Sequence, residues 1–325
     1  MKRVLVAFIL TACAVSFAQA QTIRMQLGHY AAATHPGTVA SQMFAEGVEQ
    51  RTQGKIRIAV YPDNELGTPD DVLSKCIRGN VAMALPYHGH LGKYARKFYS
   101  AMLPYAFDSY AQADAVLDGP FIAWAAPDLE AIGLVFLSNW EWGFRHVTSG
   151  RRPVNSAADM RGLMVRTPPE PPLRITLEAL GAVVASVSFN DLRKALAEGV
   201  IDGQENPVAV IYANRLYETQ RYLAMTGHSY STMVHVINRK AWNKLTPEQQ
   251  GIVREESAKA GAWMRKAVRE AEAGQIEALA ALGMQVRRPD RAAFKSMTQA
   301  AYGRLATAIG EDNIREFQAM VEAAR

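Results

Sequence analysis

The chain has 325 residues, of which 49% are hydrophobic and 21% are charged, a balance that excludes an intrinsically disordered protein. Its 23 glycines and 15 prolines exclude a collagen-like chain. The formal net charge is +5, but charges of both signs are mixed throughout, so the sequence does not indicate the clustered basic patch of a nucleic-acid-binding protein. The length predicts about two domains.

The N-terminal segment is typical of a secretory signal. Lys2 and Arg3 precede an apolar run over residues 4–17, and a small-x-small pattern ends at Ala20. The run is too short for a membrane span, which needs roughly 20 apolar residues. We therefore expect export and cleavage after Ala20. The alternative is a lipoprotein attached through Cys13, because residues 10–13 resemble a bacterial lipobox.

Strand and helix patterns alternate through the first part of the mature chain. The patterns predict a strand over residues 22–28, a helix over 36–52, a strand over 55–61, a helix over 68–77 and an apolar stretch over 81–85. This order is typical of an α/β domain with a mostly parallel sheet. Without Cys13, Cys76 is the only cysteine, so no disulfide can form. Its apolar helical spacing favours a small buried residue over a nucleophile.

The alternation of strand and helix patterns continues in the second half of the chain. Ser156 and Asp159 predict a capping box that opens a short helix. A strand over 163–167, a helix over 170–180, a strand over 183–187 and a helix capped by Asn190 and ending at Gly199 follow. Two α/β units in one exported chain indicate a two-lobed protein with a cleft between the lobes.

One predicted helix is longer than either lobe should be. Thr246 and Pro247 provide an N-cap and a first-turn proline, and no helix-breaking pattern follows before Gly283. About 35 residues at 1.5 Å each give roughly 50 Å. We expect this helix to run along both lobes as a strut, with Gly261 and Gly274 as possible weak points.

The sequence contains no Gly-x-Ser-x-Gly motif, phosphate-binding loop, dinucleotide fingerprint or Cys-x-x-Cys pair. Seven histidines are the best candidates for metal binding or catalysis. One alternative is therefore a metal receptor, and another is a secreted hydrolase that uses the histidines with Cys76. The histidines proposed for the metal are His29, His35, His88 and His90.

The arginines carry more information than the histidines. Arg166 lies near the carboxyl end of a strand that otherwise has the pattern of a buried one, and ligands of open α/β sheets bind outside such strand ends. A buried guanidinium needs an acceptor, either a ligand carboxylate held by two hydrogen bonds or an acidic side chain of the protein. Arg145 lies among aromatic residues that include Trp140 and Trp142, which could line a pocket or belong to the core.

Four segments together resemble a known family. The segments 143–145, 152–154, 160–168 and 201–207 occur in an order and spacing similar to those of solute receptors of tripartite ATP-independent periplasmic (TRAP) transporters, of the dicarboxylate-receptor (DctP) type. The last segment reads Ile-Asp-Gly-Gln-Glu-Asn-Pro. The resemblance covers essentially the whole mature chain.

The resemblance implies a two-lobed periplasmic receptor of α/β fold, without a cofactor or catalytic activity, that closes on a small organic acid. It implies delivery of the acid to a membrane permease, and we expect a monomer that does not bind nucleic acid. Pro169 stands where sialic acid receptors carry an asparagine, which argues against sialic acid. The expected first lobe comprises residues 21–143 and 232–271, and the second comprises 144–231 and 272–325.

The resemblance also assigns roles to individual residues. Arg166 matches the arginine that clamps the ligand carboxylate, Arg145 a second binding arginine, and Asn206 a binding asparagine. Phe189 matches a pocket aromatic residue. The complete predicted ligand-binding set is Arg166, Arg145, Asn206, Phe189, Tyr87, His88, Trp140, Trp142 and His29.

Overall fold

The computed structural model describes residues 22–325, so the predicted signal sequence and Cys13 lie outside the described residues. Within residues 22–325, nine strands form one mixed sheet. The strands are β1 (Ile23–Gly28), β2 (Ile56–Tyr61), β3 (Met83–Ala84), β4 (Leu134–Ser149), β5 (Met164–Thr167), β6 (Val183–Ser186), β7 (Gly203–Asn206), β8 (Tyr222–Asn238) and β9 (Gln285–Arg287).

Helices cover most of the remaining described chain. They are α1 (Pro36–Arg51), α2 (Pro69–Arg78), α3 (His88–Gly92), α4 (Lys97–Ser100), α5 (Tyr110–Leu117), α6 (Pro120–Ala131), α7 (Pro171–Ala179), α8 (Leu192–Ala197), α9 (Val208–Ala213), α10 (Arg239–Trp242), α11 (Pro247–Ala281), α12 (Arg291–Met297), α13 (Tyr302–Ile309) and α14 (Glu311–Ala323). Short 3-10 helices occupy Ala157–Met160, Leu216–Glu218 and Thr298–Ala301.

Local sequence signals account for the bounds of α2. Thr68 and Asp71 form a reciprocal capping box at its start, and Gly79 adopts a φ of 85° just past its end. The capping box satisfies backbone N–H groups that have no partner inside the helix. The predicted Ser156–Asp159 box is also present. The first two strands and first two helices therefore begin and end within one residue of their predicted bounds.

The predicted cap of α8 is wrong. Asp191, not Asn190, occupies the N-cap position, and the Asp191 backbone N–H donates to the Ser188 hydroxyl at 3.2 Å. Because Ser188 and Asp191 form this local turn, the Asn190 side chain is not used as a cap. Asn190 instead lines a cavity together with Arg166 and Phe189.

The parallel pairing predicted for the first α/β unit is confirmed, because β1 pairs in parallel with β2 and β3. Two long strands that were not predicted, β4 and β8, cross both halves of the molecule. The strands run in the order β2-β1-β3-β8-β4-β7-β5-β6, with β9 also paired to β8. β4 and β8 are antiparallel to each other, and β3 and β7 join them antiparallel on either side. Parallel pairing is kept within the two α/β units, as in β1–β2 and β5–β6. The two lobes therefore share a continuous sheet.

The long helix is present as predicted and runs along both lobes. α11 has 35 residues and contacts α1 and β4 of the first lobe as well as α9 and β9 of the second. It continues through both Gly261 and Gly274. A Cβ atom at Gly261 would lie 2.6 Å from the Trp140 ring, so this glycine permits the close approach of α11 to β4.

The C-terminal helix α14 packs against the first half of the molecule. Phe317 of α14 packs against Phe107 and Phe121, with ring centroids 5.8 Å apart in both pairs. The last helix thus lies against aromatic residues assigned to the first lobe, although residues 272–325 were assigned to the second. The lobe boundaries therefore stay a prediction.

No helix in residues 22–325 is long and apolar enough to cross a membrane.

Candidate ligand-binding site

A cavity of about 250 Å³ is lined by residues of both halves. Tyr30, Tyr87 and His90 line it from the first half. Half of its lining residues come from two short segments of the second half, 166–170 and 186–190. These segments begin at the carboxyl ends of the parallel strands β5 and β6, the edge where α/β sheets bind ligands.

Arg166 supplies an unpaired cation to this cavity. Its side chain is 2% exposed, and its Nε atom donates to the Val187 carbonyl at 2.8 Å. Its Nη1 atom has no hydrogen-bond partner among the described residues, and its guanidinium carbon lies 6.0 Å from the Phe189 ring centroid. Burial lowers the pKa of Arg166 to about 10, so the group stays charged at neutral pH. The guanidinium can therefore bind an anion from outside the chain.

Arg145, unlike Arg166, forms an ion pair with an acidic side chain of the protein. Its Nε atom bonds to Glu205 Oε2, and its Nη2 atom donates to Glu205 Oε1 at 2.8 Å and to Asn206 Oδ1 at 3.2 Å. Glu205 also accepts from the Thr167 hydroxyl at 2.9 Å and lies 3.2 Å from His228 Nε2. Burial alone would raise the pKa of Glu205, but Arg145 and His228 lower it to about 2. The charge of Arg145 is therefore neutralised within the protein.

Aromatic rings form another part of the wall. The ring of Tyr30 lies 4.9 Å from that of Trp142, 6.1 Å from that of Phe189 and 5.5 Å from that of His90, between centroids. Burial lowers the pKa of His90 well below its usual value, so its imidazole is neutral. The wall thus offers apolar ring faces together with a neutral imidazole, which can donate or accept one hydrogen bond per nitrogen.

A buried carboxyl group lies in the same cavity and was not predicted. Glu170 is completely buried and accepts a hydrogen bond from the Tyr87 hydroxyl. Lys93 Nζ lies 3.6 Å from Glu170 Oε1. Burial raises the pKa of Glu170, while Tyr87 and Lys93 act in the opposite direction. The only signal in the sequence was an acidic residue four positions after Arg166, in a segment leading from a strand end.

Six of the nine predicted binding residues line the cavity, and three do not. The six are Arg166, Arg145, Asn206, Phe189, Tyr87 and Trp142. Their contact with a ligand stays a prediction.

The other three lie elsewhere because other packing partners hold them. His88 packs against Phe98 and Phe121, with ring centroids 5.9 and 5.6 Å apart. The Trp140 indole N–H donates to the Ser257 carbonyl at 3.1 Å, which fixes this ring under α11. His29 is buried outside the cavity lining.

The geometry does not support the metal and hydrolase alternatives. Within residues 22–325, no three His, Cys, Asp or Glu side chains are grouped so that they could hold a metal ion. Cys76 is completely buried, and burial raises the pKa of its thiol to about 12, which disfavours the reactive thiolate. The buried, unreactive interpretation of Cys76 is thereby supported.

The sequence matches a family of transport receptors along most of its length. Residues 27–308 match the family model described as bacterial extracellular solute-binding protein, family 7. The 2,3-diketo-L-gulonate-binding periplasmic protein of Escherichia coli strain K12 is 30% identical over 277 residues, which cover 85% of this chain and 84% of that protein.

Solved structures of receptors with bound sugar acids share the fold. A TRAP periplasmic solute-binding protein from Polaromonas sp. JS666, bound to D-erythronate, is 29% identical and superposes with a TM-score of 0.87, covering 91% of this chain and 98% of that one. A sugar acid binding protein from Advenella mimigardefordensis, in complex with galactonate, is 26% identical with a TM-score of 0.90, covering 94% and 99%.

Proposed function

The chain belongs to family 7 of the bacterial extracellular solute-binding proteins, and we propose that it captures a small sugar acid in the cavity between its lobes. The observation that carries the proposal is the unpaired guanidinium of Arg166. A buried cation without a protein acceptor is costly unless a ligand anion completes it. Two parallel N–H groups of a guanidinium match the two oxygens of a carboxylate.

The named ligands of the relatives support a sugar acid. The Escherichia coli relative is named for 2,3-diketo-L-gulonate, and the two solved structures hold D-erythronate and galactonate. These compounds share one carboxylate and a chain of oxygen-bearing carbons. The cavity offers one unpaired cation for the first of these features and polar groups such as Asn190, Asn206 and His90 for the second.

The proposed role is binding and release, without a catalytic step. The receptor would be exported to the periplasm after cleavage of its signal sequence at Ala20, act as a monomer, and pass its ligand to the permease subunits of a TRAP transporter. Closure of the cavity by movement of the two lobes would remove water from the ligand carboxylate. Arg166 would then replace the lost hydration with charged hydrogen bonds.

A thermal-shift panel tests whether a carboxylate is required. Galactonate and D-erythronate are compared with galactitol and erythritol, which keep the hydroxylated carbon chain and lack the acid. A bound ligand at 100 times its Kd adds about 2.7 kcal/mol of stability, so we expect the acids to raise the melting temperature and the polyols to leave it unchanged. Stabilisation by zinc alone, with no response to acids, would support the metal receptor instead.

Substitution of Arg166 tests the anchor itself. Loss of one partner from a buried charged pair costs about 2–5 kcal/mol, so Arg166→Ala should weaken calorimetric affinity for a sugar acid roughly 30-fold to several thousandfold. The matched control is Arg161→Ala, which removes an exposed arginine of the same half outside the cavity. Near-normal affinity in Arg166→Ala would refute the assignment.

A further inference from the structure

We propose that Glu170 is a specificity-determining residue that accepts a ligand hydroxyl and rejects a ligand carrying a second carboxylate. The inference rests on the proposed function, in which Arg166 binds the first carboxylate. It narrows the ligand class from sugar acids in general to sugar acids with a single carboxylate.

The position of Glu170 is fixed from both halves of the molecule. It is the residue before α7, and the Tyr87 hydroxyl from the first half donates to its Oε2 atom. Gly89 leaves room for this contact, because a Cβ atom there would lie 2.7 Å from the Tyr87 ring and 2.8 Å from Glu170 Cγ. The carboxyl group is therefore held at the cavity wall by packing and by a hydrogen bond.

One oxygen of this carboxyl group remains available. Glu170 Oε1 is buried and has no hydrogen-bond partner among the described residues, and its nearest cation, Lys93 Nζ, lies 3.6 Å away. A buried acceptor without a donor costs free energy, and a hydroxyl of the ligand can supply that donor. The side chain lines the same cavity as Arg166, so one ligand can reach both groups.

The charges around the cavity leave no cation for a second carboxylate. Glu205 neutralises Arg145, and Lys93 forms an ion pair with Asp70 at 2.5 Å. Arg166 is thus the unpaired cation among the described cavity residues, and one ligand carboxylate satisfies it. The Tyr87 hydroxyl and Lys93 favour the charged form of Glu170 against the effect of burial. A second ligand carboxylate would be desolvated beside this charge, and like charges in a buried site repel strongly.

The test compares acids that differ in one end group. Galactonate and galactarate have the same carbon chain, but galactarate ends in a second carboxylate where galactonate ends in a hydroxymethyl group. Calorimetry gives the ratio of their dissociation constants for the full-length mature protein, Glu170→Gln and the control Glu178→Gln, which alters an acidic side chain on α7 outside the cavity. D-erythronate and meso-tartrate form a second pair for the same comparison.

We expect the wild-type protein and Glu178→Gln to prefer the monocarboxylate. Glu170→Gln should reduce that preference by about tenfold or more, because the amide keeps an acceptor oxygen but removes the like charge. Tyr87→Phe separates this effect from a purely structural one, since it removes the hydrogen bond and keeps the carboxylate. It should retain the preference even if it weakens both ligands.

The outcomes distinguish the two proposals. If no acid binds, or if binding does not depend on Arg166, the proposed function fails. If acids bind through Arg166 but Glu170→Gln leaves the ratio unchanged, or weakens both acids equally, the specificity role of Glu170 is refuted and the proposed function stands. A wild-type preference for galactarate would also refute it.

Discussion

Arg145 on β4 and Arg166 on β5 line the same cavity, yet their surroundings differ completely. Both side chains are at most 2% exposed. Glu205 gives Arg145 two carboxylate oxygens and a backbone acceptor, whereas Arg166 has one carbonyl acceptor and an unpartnered Nη1 atom. The difference shows that a buried arginine indicates a ligand site only when its partners inside the protein do not satisfy it.

The same contrast appears in the pKa values. Burial acts to lower the pKa of both groups, but the Glu205 carboxylate outweighs burial at Arg145 and raises its pKa. At Arg166, burial dominates and lowers the pKa to about 10. Arg145 therefore stabilises the folded protein, whereas Arg166 is charged at a cost that ligand binding can offset. Variants of the two residues should differ in what they damage.

The largest expected effect is the loss of folding stability caused by Arg145→Ala. Removing one member of a buried ion pair leaves the other uncompensated and costs about 3–5 kcal/mol. Arg166→Ala should lose at most about 1 kcal/mol, the contribution of one hydrogen bond. Urea unfolding of both ligand-free variants at pH 7 measures the difference. Equal losses would mean that Arg166 also has a structural partner, and the contrast would not hold.

Acid should weaken the ion pair between Arg145 and Glu205. The pKa of Glu205 is lowered from 4.5 to about 2 in the folded protein. The folded state therefore binds this proton less tightly than the unfolded state. The resulting stabilisation is complete above about pH 4.5 and is lost as the pH falls towards 2.

The expected loss from this group between pH 5 and pH 3 is about 2 kcal/mol of unfolding free energy. Urea unfolding at both pH values should show that the unfolding free energy of Glu205→Gln changes less with pH than that of the wild type, because this carboxylate is gone. Other carboxylates contribute the same remaining change to both proteins. Arg166→Ala should retain the full dependence. The same acid loss in Glu205→Gln and the wild type would contradict the assignment.

The smallest effect concerns the shape of the cation at position 166. Arg166→Lys keeps the positive charge but replaces the planar fork with a point donor. We expect affinity for a sugar acid to be about tenfold weaker than wild type, about 1.4 kcal/mol, and stronger than in Arg166→Ala. Calorimetry on the three proteins measures this order. Wild-type affinity in Arg166→Lys would exclude a two-point contact with the carboxylate.

Much of the fold could be predicted because its signals are local. The capping residues of α2 and the proline and capping box at the start of α11 are visible in the sequence and present in the structure. β4 and β8 were not predicted as strands. Nearly all their side chains are buried, because neighbouring elements cover both faces, so the alternation that identifies a half-buried strand is missing.

The site could be predicted only in part, because its chemistry depends on contacts between distant residues. The resemblance placed Arg145 and Arg166 among the binding residues, but only the structure distinguishes them. The partner of Arg145 lies 60 residues away, at Glu205. Glu170 had no recognisable motif, since the hydroxyl that donates to it belongs to Tyr87, 83 residues away.

Half of the cavity wall comes from segments 166–170 and 186–190, and this affects how members of this family can diverge in ligand preference. These residues lie at or just beyond the ends of the short strands β5 and β6. Arg145 and Trp140 lie on β4 and Gly261 lies on α11, long elements that contact both halves. Substitutions in the two segments can alter which acid is recognised without changing these long elements. New ligand preferences can therefore arise through a few neighbouring codons, with the architecture inherited unchanged.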